Sequence, residues 1–313
     1  MIKVVEYSKN KVKTINFDKI SLTKPKQSKL WVDVTNPSDE ELKKIIHSTS
    51  ILISDLKNCL DPKERPRLKE TGKYRLIIFK ATADENIMTL GIFFTKEYIL
   101  TIHKEVIEPI DTIQRDILKL NSVNIIKKGL NYLVYHILTE VTRKYFEILD
   151  DMEEELDKLE DKISKGITHN VGERITFIKK ILIYFRQALL ANRDVLINLE
   201  KSPMTKDREI ETIREIQTET TQLIDEESIY HDRLTGVREN YLTSISNNLN
   251  EVIKEFTVLA MVILVPTLIA TLYGMNFKVI PLATHQYGFW ILIAIMVLST
   301  LLILLYFKTR KWI

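Results

Sequence analysis

The chain has one cysteine in 313 residues, Cys59, so neither an intrachain disulfide nor a cysteine-built zinc cluster is open to it. A lone cysteine of this kind serves as a small buried hydrophobe. An excess of basic charge is missing too. The 45 Lys and Arg against 42 Asp and Glu leave a net +3, which is no footprint for nucleic acid. The six histidines, His47, His103, His136, His169, His231 and His285, are scattered, and each reads as structural or surface rather than as a ligand. No phosphate-binding Gly-x-x-x-x-Gly-Lys loop, no His-Glu-x-x-His and no Gly-x-Ser-x-Gly occurs, so no enzyme and no organic cofactor is expected. Residues 1–6 hold no apolar h-region, and no cleaved signal peptide is expected.

Charge is also absent from residues 256–277, and residues 257–273 are nearly all apolar. A second apolar run, 288–307, follows a short connector. About 20 apolar residues at ~1.5 Å rise each cross a ~30 Å hydrocarbon core. The two runs therefore read as a transmembrane hairpin in contact with lipid. A pair of buried helices in a soluble core fits less well, because the second run drops abruptly into Lys308, Thr309, Arg310 and Lys311. The connector has one basic residue, Lys278, whereas the tail has Lys308, Arg310 and Lys311. The side richer in Lys and Arg is cytoplasmic. The expectation is a multi-pass protein of the cell membrane with both termini in the cytoplasm.

A mean hydropathy near zero hides this split. Residues 1–115 read as a cytoplasmic α/β domain, with β-formers at 2–7, 30–34, 75–80, 89–94 and 98–103. Ser38 with Glu41 three residues on forms a capping box that opens a short helix. Residues 116–205 read as a helical hairpin with helices near 131–165 and 172–201. The first of these carries an acidic block, Asp150, Asp151, Glu153, Glu154, Glu155 and Asp157, with Glu160 and Asp161. Such a block is a solvated helix face or a reservoir that draws divalent cations. Residues 206–276 read as one stalk helix continuing into the first span (about 256–276), since between Asp207 and Tyr273 the only proline is Pro266. Residues 277–287 form an extracellular loop, 288–307 the second span and 308–313 a basic tail. A helix this long needs partners for its apolar seam, and a homo-oligomer of parallel stalks supplies them.

Gly274, Met275 and Asn276 close the first apolar run, and the basic tail ends the chain just past the second. That combination resembles the CorA family of divalent-cation channels. Trp31-Val32-Asp33 with Asn36-Pro37, and Glu64-Arg65-Pro66-Arg67, resemble landmarks of the same family's cytoplasmic domain. The resemblance implies a funnel-shaped homo-oligomer, a pentamer. Each subunit would carry an α+β cytoplasmic domain, a mixed sheet with flanking helices, joined by the stalk helix to the two-helix hairpin. It implies passive Mg²⁺ influx, with Co²⁺ and Ni²⁺ as further substrates, and Gly274, Met275 and Asn276 as the selectivity filter at the outer mouth. Two positions depart from the family's pattern. Asn58 stands where an acidic residue is frequent, seven positions before Arg65, and Ile280-Pro281-Leu282 lacks the usual Glu after its proline. Competing readings are a Zn²⁺ transporter of the same superfamily and a membrane-anchored scaffold that conducts nothing.

Steps of four and three along the long helix meet Glu239, Thr243, Ser246, Asn250, Ile253, Thr257, Ala260, Leu264, Thr267, Thr271 and Gly274. The seam is small and polar except at Ile253 and Leu264. A coiled coil or a lipid-facing helix wants bulk there, whereas helices around water want hydroxyls and amides. Asn250, Ile253, Thr257, Ala260, Leu264, Thr267 and Thr271 are therefore the expected pore lining, and rings of Ile253 and Leu264 a dewetting gate. No carboxylate lies in the span, so neutral oxygens would bind an ion that keeps its water, as Mg²⁺ does. In the cytoplasmic part Asp61, Glu64, Glu215 and Glu219 are candidates for a regulatory Mg²⁺ site, in which the bound ion screens like charges at subunit contacts and holds the ring closed.

Overall fold

The computed structural model describes residues 1–8, 11–17, 28–84, 86–119, 128–276, 278, 280–282 and 284–312. The chain divides into two compact units. One comprises residues 1–160 and 172–237, the other residues 161–171 and 238–313.

The first unit is built on a seven-stranded sheet. Its strands are β1 (Ile2–Ser8), β2 (Lys11–Thr14), β3 (Lys29–Thr35), β4 (Arg67–Glu70), β5 (Arg75–Ala83), β6 (Asn86–Phe94) and β7 (Tyr98–His103). They lie in the order β2-β1-β3-β7-β6-β5-β4. β3 and β7 run parallel, from Leu30 opposite Tyr98 to Thr35 opposite His103. The other pairs are antiparallel. The sheet is thus mixed, as expected.

Alternation along the strands sends side chains to two cores. Ile77, Phe79, Leu90 and Ile92 face one; Leu76, Ile78, Phe93 and Leu100 face the other. Helices α1 (Asp39–Ser48) and α2 (Ile53–Cys59) cover the second core through Leu42, Ile45, Leu56 and Cys59. The first core is covered by α3 (Glu108–Lys119), α4 (Leu130–Ser164), α5 (Val171–Lys201) and the start of α6 (Asp207–Tyr273), through Ile113, Val134, Leu196 and Ile213. Each such apolar side chain contributes roughly 1.5–3 kcal/mol when fully buried, so a sheet covered on both faces is the stable arrangement. Cys59 is buried, and burial raises its thiol far above the ordinary value. A Cβ at Gly91 on β6 would collide with the Cys59 sulfur. Glycine there lets α2 lie against the sheet.

The capping box is present. The Ser38 hydroxyl accepts from Glu41 N at 3.2 Å, and the Glu41 carboxylate accepts from Ser38 N at 2.9 Å. α4 and α5 fall within one residue of their expected bounds. The expected strands 75–80 and 89–94 are longer than the apolar runs, because β5 and β6 zip together down to Ala83 opposite Asn86. Asp84, just beyond, adopts a left-handed φ of 50°.

Candidate functional site

α6 is one unbroken helix of 67 residues, and α7 (Gly288–Thr309) runs two residues past the expected second span. Both contain stretches long and apolar enough to cross a membrane, and only 6% of the most apolar window of each is buried. A helix from a soluble core would be mostly covered, so this exposure calls for lipid or further copies of the chain as the missing cover.

The polar seam lies on α6 and just past its end. The Thr257 hydroxyl donates to Ile253 O, that of Thr267 to Ile263 O, and that of Thr271 to Thr267 O, each at 2.7 Å. A hydroxyl has one proton and two lone pairs. With the proton engaged by the helix, each of these oxygens presents acceptor capacity outward. Water bound to a cation points its protons outward, so the two sets match. Asn250 and Ala260 are exposed on the same helix. Ile253 and Leu264 are 60% and 58% exposed, close to the 46% of neighbouring Val252, so exposure alone does not single out the two seam residues. A strict four-three repeat drifts ~20° per heptad on a straight helix. The seam therefore stays on one face only if the helices supercoil.

At the end of α6, Gly274 N donates to Ala270 O at 2.9 Å and to Thr271 O at 3.1 Å. Met275 N reaches Leu272 O at 3.4 Å. The last turn carries no basic residue, so the partial negative charge of the helix C-terminus is left for a cation. Gly274, Met275 and Asn276 follow directly and are exposed. Pro266 has no N–H, so the helix loses its donor to the Val262 carbonyl. In the connector Lys278, Ile280, Pro281 and Leu282 are described, while Phe277 lies outside the described residues. In the tail Lys308 belongs to the last turn of α7, and Trp312 N returns to Phe307 O at 3.0 Å past Arg310 and Lys311.

The four regulatory candidates fall into two pairs. Asp61 and Glu64 sit in the turn after α2, where the Asp61 carboxylate accepts from Lys63 N at 2.9 Å and Glu64 pairs with Arg67. Glu215 and Glu219 are one turn apart on α6. Among the described residues, no three His, Cys, Asp or Glu side chains converge as a metal site. Glu219 is nonetheless unusual. One of its carboxylate oxygens is buried without a partner among the described residues. Burial raises its pKa, Arg143 draws it back down, and Glu215 and Glu140 push it up again. A cation supplied against that oxygen would satisfy it. Nothing in sequence spacing marked Arg143 or Glu140, which reach Glu219 from α4.

The acidic block is partly engaged. Glu155 pairs with Arg174, and Arg233 of α6 binds Glu160 through two contacts of 2.9 and 3.0 Å and also Asp157. Asp150, Asp151 and Glu154 stay exposed.

The family model for the CorA-like Mg²⁺ transporter protein matches residues 26–309. The chain is 37% identical over 289 residues to the cobalt/magnesium transport protein CorA of Methanocaldococcus jannaschii, covering 91% of each. The complete structure of the M. jannaschii CorA magnesium transporter superposes with a TM-score of 0.84 at 34% identity, covering 100% of this chain and 99% of that one. Similarity to the cobalt/magnesium transport protein CorA of Thermotoga maritima is 25% over 324 residues, covering 100% of this chain and 92% of that protein. The cytoplasmic domain of ZntB from Vibrio parahaemolyticus shares the fold alone, with a TM-score of 0.62 at 12% identity over 78% of this chain and 98% of that one.

Proposed function

The chain belongs to the CorA-like Mg²⁺ transporter family, and from that premise we propose that it is a magnesium channel of the cell membrane. It carries Mg²⁺ passively into the cytoplasm, with Co²⁺ and Ni²⁺ as further substrates. Copies of the chain, five by resemblance to the family, stand parallel so that the α6 seams enclose water. Asn250, Thr257, Ala260, Thr267 and Thr271 line the pathway, and Gly274, Met275 and Asn276 form the filter. Both termini face the cytoplasm.

The observation that carries this reading is the run of threonine hydroxyls whose protons are already bound within the helix, leading to an uncompensated helix C-terminus and Asn276. Such a lining accepts from the water shell of a cation and holds no carboxylate to strip it, as suits an ion that dehydrates reluctantly. An inside-negative potential contributes ~2.3 kcal/mol per charge per 100 mV, and twice that for a divalent ion. No nucleotide need be consumed. The test is uptake into liposomes containing the purified chain. Mg²⁺ influx that grows with inside-negative potential is expected; no flux of any ion sinks the channel reading, and Zn²⁺ flux without Mg²⁺ flux replaces it with the zinc alternative.

Internal Mg²⁺ closes the channel in this reading. Glu219 and Glu215, together with Asp61 and Glu64, bring like charge toward subunit contacts, and bound Mg²⁺ relieves the repulsion. Limited proteolysis with and without Mg²⁺ tests this: protection of the stalk by Mg²⁺ is expected, and equal cutting in both rules the sensor out.

A further inference from the structure

The unit of residues 1–160 and 172–237 holds a cavity of about 1100 Å³ that lies outside the proposed ion pathway. It opens between the 62–66 segment, the β5–β6 hairpin and α5, and its floor includes Lys80. β4 pairs with β5 only as far as Arg67 opposite Ile78, so at Lys80, which faces Thr89 of β6 on its other edge, the β4 side of β5 has no strand neighbour. Asn192 of α5 fills the gap. Its side-chain oxygen accepts from Lys80 N and its amide donates to Lys80 O, both at 2.8 Å. The Tyr145 hydroxyl adds a third bond to Lys80 O at 3.0 Å. The floor is therefore fixed.

Lys80 itself is nine-tenths buried. Its ammonium donates to Pro62 O at 2.7 Å and to the Thr89 hydroxyl at 2.9 Å, while Thr89 spends its own proton on Asp61 O. An ammonium has three donors. Two are used here by neutral oxygens, and no carboxylate pairs with the charge among the described residues. Burial lowers its pKa, against the pull of Asp61 and Glu64. A buried cation facing a cavity without an anion is costly, and a ligand anion offsets that cost.

The remaining lining gives the ligand its class. Lys63, Arg65 and Lys180 add cationic groups with no carboxylate partner among the described residues, since Glu64 is engaged by Arg67. Phe177 and Tyr184, two turns apart on α5, are exposed; the Arg174 guanidinium covers one face of Phe177 at 4.5 Å, leaving the other, and Lys180 lies 5.9 Å from the Tyr184 ring. Asp84 and Asp194 supply acceptors for hydroxyl or amino groups. An inorganic anion would leave the rings and carboxylates idle. A fatty acid would leave the carboxylates desolvated and unpaired.

We propose that this cavity binds a nucleoside phosphate, with its phosphate on Lys80, Lys63, Arg65 and Lys180, its base against Tyr184 and Phe177, and its hydroxyls on the aspartates. The proposal goes beyond transport and is independent of it, because binding is read without ion flux.

The test is equilibrium dialysis of AMP, adenosine and inorganic phosphate against the full detergent-solubilised chain in Mg²⁺-free buffer. Saturable AMP binding is expected, with adenosine and phosphate each weaker by about tenfold or more, the scale of one lost stacking or charged contact. Tyr184→Ala should weaken AMP about tenfold, and so should Lys63→Ala combined with Arg65→Ala. These residues are exposed, so the variants fold even if Lys80→Met does not. No saturable AMP binding overturns the proposal. So does phosphate binding as tightly as AMP, or AMP binding that neither variant weakens.

Discussion

In the unit of residues 1–160 and 172–237, buried polar groups such as Asp33 and Glu209 find partners far along the chain. In the unit of residues 161–171 and 238–313, the hydroxyls on the two apolar helices bond no further than the next helical turn. The Asp33 carboxylate of the first unit accepts from the Thr101 hydroxyl at 2.6 Å and meets His103 Nε2 at 3.0 Å, while the Trp31 indole donates to Thr101 at 3.1 Å. Glu209 is held by Asn131 and Tyr135, 78 and 74 residues away. In the second unit Thr257, Thr267 and Thr271 bond to carbonyls four residues back, and Ser299 and Thr300 both bond to Met296 O. Local satisfaction is what a hydrocarbon solvent demands, because no water is there to cover an unpaired group. It also leaves whole helix faces uncommitted, for lipid, for further copies or for an ion's water. The first unit uses its polar groups for stability, and in the proposed channel the second keeps its acceptors for an ion's water.

Substitutions can break that contrast. The largest effect is expected from Asn276→Ala, which removes the amide acceptor at the mouth without touching any packing. Selective Mg²⁺ uptake should be lost while the oligomer elutes unchanged in size-exclusion chromatography. Wild-type flux and selectivity from that variant would remove the hydrated-ion mechanism.

Next comes the gate expected at Ile253. Ile253→Ser should wet the constriction and give currents that high internal Mg²⁺ no longer shuts off, whereas Val252→Ser should not. The reverse outcome means the lining is displaced by one residue, and every pore position moves with it.

In the first unit, the contrast predicts loss of stability instead of transport selectivity. Asp33→Ala leaves His103 buried without its counter-charge, and breaking a buried pair from one side costs about 3–5 kcal/mol. A clear drop in the thermal midpoint of the solubilised chain, followed by circular dichroism, is expected. The pair also carries a pH dependence. Burial alone would depress the His103 pKa, but the Asp33 carboxylate and the Glu105 carbonyl hold it above its ordinary value. A raised folded pKa means the stabilisation is complete below the ordinary value of ~6.5 and is lost as pH rises through the folded value. The native midpoint should fall across that window, and Asp33→Asn should flatten the fall. A flat profile in the native chain would show that the imidazole is neutral in the fold.

The smallest effect sharpens the comparison at a helix end. Ser38→Ala removes one half of the capping box of α1 and should cost about 1 kcal/mol, visible in the same melt, with uptake into liposomes unchanged.

Much of this was legible in the residues. α4, α5, α6 and α7 announce themselves through long runs of helical period or unbroken apolarity, and both are properties of neighbours in sequence. The buried strands β5, β6 and β7 show as clusters of β-formers. Short elements do not. β2, β4 and α2 have four, four and seven residues, too few for a period to emerge; β2 and β4 hold their shape by pairing with β1 and β5, and α2 by burying Leu56 and Cys59. For the candidate site, the common stripe of the threonines followed from spacing, and Asn276 from the resemblance carried by Gly274-Met275-Asn276. That the threonine protons are spent on the helix required coordinates.

The sequence by itself determined which segments are apolar enough to leave water, where the long helix starts and stops, and which residues follow its end, because hydropathy and period are local. Only the tertiary structure decided that β3 and β7 pair in parallel, that Arg233 gathers Asp157 and Glu160 out of the acidic block, that Glu219 keeps a carboxylate oxygen without a partner among the described residues, and that Lys80 lies buried beneath a cavity. Each of these depends on groups tens of residues apart. Their energies come from desolvation and pairing, which exist only once the chain has closed around them.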